Sequence, residues 1–136
     1  MSRPHEGPRR RAEARNGAVI RGLAAVTLLL AGCSAPPPTV DRITLVNPTD
    51  YEFHVHVTGR EQGIWLPVAI VEARSEDVAQ DVIDQGDRWT FRFLYTGESL
   101  EERSLTRAEL ERNGWRVVIP AELGERLRVL GEPPSD

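Results

Sequence analysis

Two histidines one residue apart, His54 and His56, form the sharpest chemical pair in the chain. Side chains at i and i+2 of a strand leave the same face. With Glu52, they can therefore offer three ligands on one side. A catalytic zinc usually takes three protein ligands, so this trio defines a metal-binding alternative for the domain. The only other histidine is His5, and no His-x-x-His or second cysteine adds support. The solvated face of a half-buried strand explains the same residues, and no metal or cofactor is assigned.

The other candidates meet plain structural readings. Glu76, Asp77, Asp81, Asp84 and Asp87 offer oxygens suited to calcium, but their spacing is not that of an EF-hand loop. A charged edge strand that resists aggregation accounts for them. Trp89 and Trp115 fall in phase with core residues. Trp65 is out of phase with Ile64, Leu66 and Val68, and it follows a glycine-bearing loop. It is the one tryptophan open to exposure, with a place in the core as its other reading. A carbohydrate-binding alternative needs Trp65 and a second exposed ring. Ser34, Ser75, Ser99 and Ser104 have no G-x-S-x-G setting, and no GxGxxG, Walker or CxxC pattern occurs, which points away from an enzyme. Arg88, Thr90 and Arg92 alternate on one face of a second strand. Glu52, His54, His56, Arg88, Arg92 and Trp65 together make the candidate ligand face, because arginine can grip carboxylate or phosphate bidentately.

Composition narrows the setting. The chain has a formal net charge of −4, and all 17 basic residues are arginine. From position 33 onward, 11 arginines face 19 carboxylates, a charge near −8. Such a domain lacks the basic footprint that nucleic acid requires. The single cysteine, Cys33, leaves the remainder without disulfides, so a hydrophobic core must hold it.

Cys33 sits in a particular context. Arg9, Arg10, Arg11, Arg15 and Arg21 precede an uncharged stretch from Gly22 to Gly32 that carries Leu23, Val26, Leu28, Leu29 and Leu30. This is the positive and apolar order of an export signal. It is shorter than the roughly 20 apolar residues of a spanning helix. Leu30-Ala31-Gly32-Cys33 resembles the lipobox of bacterial lipoproteins. The resemblance implies removal of residues 1–32, a diacylglyceryl and acyl (palmitate-type) modification on Cys33, and an extracytoplasmic domain anchored in the cell membrane. Two or more acyl chains make a stable anchor where one does not. Membrane lipid is thus the one expected partner of known chemistry, with an envelope protein or polymer as the other.

The elements that must position these residues follow in order. Residues 33–39, with Pro36, Pro37 and Pro38, form a stiff tether, since polyproline II rises about 3.1 Å per residue. Residues 40–131 suffice for one small domain, expected to be monomeric. Period-two alternation predicts strands at 41–46, 51–58, 64–71, 78–83, 88–95, 99–105 and 115–119. Pro67 makes the third an edge or bulged strand. Thr106 and Glu109 form a capping box, and Asn113-Gly114 ends a short helix. Pro120 can start a second helix, with Leu123, Leu127 and Leu130 on one side, although Gly124 weakens it. Residues 132–136 read as a frayed, disordered tail. About seven strands joined by turns describe a small all-β antiparallel sandwich with Ig-like architecture and one or two short C-terminal helices. The expected core is Ile43, Leu45, Tyr51, Phe53, Val55, Val57, Leu66, Trp89, Phe91, Phe93, Trp115, Val117 and Ile119. The domain is loosely similar to small actinobacterial lipoproteins through Asn47-Pro48-Thr49, Gln85-Gly86-Asp87-x-Trp89 and Gly114-Trp115-Arg116-Val117. That similarity carries no activity to transfer.

Overall fold

Apolar–polar alternation becomes strands, and their inward residues fill the space between two sheets. The computed structural model describes residues 35–59 and 63–136. Residues 1–34, which include Cys33, and residues 60–62 lie outside the described residues. The strands are β1 (Thr39–Val46), β2 (Phe53–Thr58), β3 (Leu66–Val71), β4 (Glu76–Ile83), β5 (Arg88–Tyr95), β6 (Glu98–Thr106) and β7 (Arg116–Val118). Two helices, α1 (Arg107–Arg112) and α2 (Ala121–Val129), complete the described elements. All belong to one compact unit, Pro37–Asp136.

One sheet runs β4-β1-β7 and the other β3-β2-β5-β6. The second is antiparallel throughout. In the first, β1 and β7 are parallel, a departure from a purely antiparallel sandwich. The reason is α1. It carries the chain from the end of β6 to the start of β7 in the opposite sheet, so β7 enters alongside β1. Ile43 and Leu45, Phe53, Val55 and Val57, and Trp89, Phe91 and Phe93 meet inside, all fully buried.

Pro67 acts as its chemistry requires, since it has no N–H for a central ladder. β3 is an edge strand, and its pairing skips Val68, passing from Val55↔Ala69 to His56↔Pro67. A second irregularity leaves out Leu100, between Phe93↔Glu101 and Leu94↔Ser99.

The core differs from the expected set at its edges. Leu66 and Trp115 are only partly buried, while Val71, Leu110, Leu123 and Leu127 are buried. Trp115 lies outside β7, at a positive φ of 57° beside Gly114 at 64°. Leu130 does not join Leu123 and Leu127; it caps α2 and is 73% exposed.

The capping box is complete. Glu109 N donates to Thr106 Oγ1 at 3.2 Å, and Thr106 N donates to Glu109 Oε2 at 2.8 Å. Both bonds satisfy amides that the start of a helix leaves unpaired.

Asn47-Pro48-Thr49, Gln85-Gly86-Asp87-x-Trp89 and Gly114-Trp115-Arg116-Val117 are corners of the fold. The Asn47 side chain is buried. Its Nδ2 donates to the carbonyls of Tyr51 (2.7 Å), Val71 (3.1 Å) and Glu72 (2.9 Å). Its Oδ1 accepts from Thr49 N (3.0 Å) and Thr49 Oγ1 (2.7 Å). One side chain thus joins the β1–β2 turn to the end of β3. Trp89 Nε1 donates to Gly86 O at 3.0 Å, which ties the β4–β5 turn to the core. Trp115 meets Trp89 edge-on, with ring centroids 5.3 Å apart.

The tail expected to fray is fastened. Tyr51 Oη donates to Glu132 O at 3.0 Å, Ser135 N to Asp50 O at 2.8 Å, and Glu52 N to Ser135 Oγ at 2.8 Å. Its polar composition suggested disorder, but free backbone groups on the Asp50–Glu52 turn supply partners.

Candidate functional site

The central strands of the four-stranded sheet carry most of the candidate residues. Pairing of β2 with β5 sets His54 opposite Leu94, His56 opposite Arg92, and Thr58 opposite Thr90. Pairing of β5 with β6 sets Arg92 opposite Glu102 and Thr90 opposite Ser104. These residues alternate with the buried Val55, Val57, Phe91 and Phe93, so they share the outward face.

Arg92 is the hub. Its Nε and Nη2 donate to Glu102 Oε1 at 3.0 and 2.7 Å. Its guanidinium carbon lies 3.7 Å from the centre of the Trp65 ring. Trp65 is therefore half-buried, where the phase of the sequence left both exposure and the core open. Thr90 and Ser104 hydroxyls share a hydrogen bond of 2.8 Å beside it.

His54 and His56 do share a face, as i and i+2 on a strand require. His54 Nε2 stands 3.6 Å from Glu52 Oε1. His56 is held below the usual imidazole range, first by burial and then by His54 and Arg92. Among the described residues no three His, Cys, Asp or Glu side chains group to hold a metal.

Arg88 stands apart. It pairs with Thr106 at the other end of β5, four residues from Arg92, or about 13 Å at the rise of a strand. The structure thus brings Glu52, His54, His56, Arg92 and Trp65 onto one surface and leaves Arg88 beside the start of α1.

The acidic stretch is spread along an edge. β4 borders the three-stranded sheet, and its Glu76 pairs with Arg116. Asp84 pairs with Arg107 and accepts from Gly86 N at 2.8 Å. Asp77 accepts from its neighbour Val78 N at 2.9 Å. These oxygens serve local contacts.

Among the described residues, the other two tryptophans pack on each other. Trp89 is fully buried and Trp115 packs on it. Among the described residues, clefts open elsewhere. One, of about 240 Å³, lies among Asp50, Arg74, Gly124, Arg128 and Glu132. Another, of about 440 Å³, lies where β6 and β7 leave the sandwich open, among Arg103, Leu105, Arg116 and Val118.

The cluster around Asn47 is the main structural group that sequence reasoning missed. Asn47 was legible as a turn residue, but its acceptors on Val71 and Glu72 lie more than twenty residues away. Beside it, the Arg74 guanidinium donates to Asp50 Oδ1 at 2.6 Å and lowers that carboxyl below its ordinary value. Tyr95 is raised, by burial first and then by Glu132.

No protein-family model, curated protein or solved structure matches this chain. Among the described residues, no helix is long and apolar enough to cross a membrane.

Proposed function

We propose that the chain is a bacterial cell-envelope lipoprotein, anchored through Cys33 on the extracytoplasmic side of the membrane. Its β-sandwich is a non-enzymatic module that binds or braces another envelope component. The carrying observation is Leu30-Ala31-Gly32-Cys33, placed after an arginine-rich start and an apolar stretch and before three prolines. Cys33 is the only thiol in the chain, so its place at that boundary agrees with use as an anchor. The pairing of Arg92 with Glu102 and Trp65 supports a bracing role for the sheet face.

Metabolic labelling with a fatty acid tests the reading. Label enters the wild type, while Cys33→Ala takes none and accumulates as a heavier species that retains residues 1–32. Equal incorporation into both would rule the anchor out.

A further inference from the structure

The two ends of the sandwich differ in how close the tether holds them to lipid. Pro38 O accepts from Asp84 N at 2.9 Å, and Thr39 pairs with Ile83. The chain therefore enters the domain at the end where β4 turns into β5. Gly59 is at the same end: a Cβ built on it would lie 3.0 Å from Gln85 O. The β2–β3 connection thus meets the β4–β5 turn where the tether arrives. Asn47, Asp50, Arg74 and the fastened tail occupy the opposite end.

Ile64 follows Gly63 on that connection and is 74% exposed, and Ile83 at the end of β4 is 41% exposed. Only four residues separate Cys33 from Pro38, five steps with a reach of about 15–18 Å for an extended or polyproline chain. β1, with eight residues, spans about 26 Å at strand rise. The leash is thus shorter than the sandwich.

We infer that this end is a membrane-contact surface, with Ile64 and Ile83 touching the lipid interface while the Asn47 end points away. The inference rests on the lipoprotein reading. Trp65 follows Ile64, and tryptophan suits the headgroup level. Exposed Asp81 and Asp87 flank Ile83 in sequence and exposed Arg88 follows them, so contact rests on the apolar side chains and is tested on neutral phosphatidylcholine.

The test uses the full chain, produced in a lipidating bacterium and reconstituted into phosphatidylcholine vesicles. Ile64→Cys and, separately, Glu98→Cys receive a fluorophore, the thiol of Cys33 being consumed by lipid. Nitroxide-bearing lipid should quench the label at position 64 at least threefold more than that at 98. Equal quenching on a chain whose mass shows lipid at Cys33 overturns the contact and leaves the lipoprotein reading standing. An unlipidated mass overturns both. Hydrogen exchange on the unsubstituted lipidated chain guards against a misfolded variant. Amides 83–87 should slow severalfold on vesicles while amides 73–75 do not; uniform behaviour overturns the contact.

Discussion

Arg92 lies over the ring of Trp65, with its guanidinium carbon 3.7 Å from the ring centre, while both Nε and Nη2 hold one oxygen of Glu102. An arginine so engaged stiffens a sheet before it can grip a ligand. Arg92→Ala should cost about 1–2 kcal/mol, from a partly covered cation–π contact and a cross-strand ion pair. Arg92→Lys keeps the charge but loses the planar stacking and fork, so it should fall between. Arg88→Ala should stay within about 0.5 kcal/mol, as an exposed surface change. Urea unfolding of the three variants checks this. Equal small losses at 88 and 92 would mean that the Arg92 contacts contribute little, and would reopen that face as a ligand site.

The same relationship marks the limit of what the sequence discloses. Alternation exposed Phe53, Val55, Phe91 and Phe93 as core because period two is local and repeats. The Thr106–Glu109 box was legible for the same reason: both partners lie within one helical turn. Trp65 stood open to either reading because its cover, Arg92, sits two strands away in sequence. Leu123 and Leu127 were legible as one helix face, but nothing local said which wall that face meets. The parallel β1–β7 pairing depends on where α1 delivers the chain, which no local pattern states.

His56 links stability to pH. Burial lowers its pKa below the ordinary 6.5. The unfolded chain therefore binds this proton more readily than the folded one. Stability from this site is complete above 6.5, declines as pH falls below it, and levels off beneath the folded pKa. His56→Gln should flatten that part of the profile. The lowered carboxyls of Asp50 and Glu109 act in a separate, more acid window, below their ordinary 3.8 and 4.5. Thermal melts from pH 7.5 to 5 would show the histidine effect alone. An unchanged slope in His56→Gln would mean that another group is responsible.

Asn47 should be the costliest polar position. Asn47→Ala strands the Val71 carbonyl and the Thr49 amide without their side-chain partner, while the Tyr51 carbonyl keeps the Thr49 hydroxyl as a donor. Unpaired buried groups cost about 1–3 kcal/mol each, with some relaxation, so a net loss of about 2–4 kcal/mol is expected. Asn47→Asp should be no better, because a carboxylate cannot donate to the three carbonyls. Chemical unfolding reads this as a lower midpoint with an unchanged slope. A loss below about 0.5 kcal/mol, the scale of a neutral surface change, would show that the turn holds without its knot.

Gly124 offers the reverse test, since general helix chemistry and this fold disagree in sign. Alanine favours a helix interior over glycine by about 1 kcal/mol, which would make Gly124→Ala stabilising in an isolated α2. In the folded chain, a Cβ at 124 would lie 2.9 Å from Thr49 Cβ and 3.1 Å from its Cγ2. Thr49 cannot easily withdraw, because its amide and hydroxyl are bound to Asn47. The helix must move instead, which loosens the buried Leu123 and Leu127 on the same element. Overpacking of this kind costs about 1–3 kcal/mol, enough to exceed the propensity gain. Gly124→Ala should therefore lower the unfolding midpoint, whereas Glu125→Ala, one residue along and exposed, should leave it nearly unchanged. A higher midpoint for Gly124→Ala would mean that α2 does not press on the Asn47 turn, and that its glycine is only a weak helix residue.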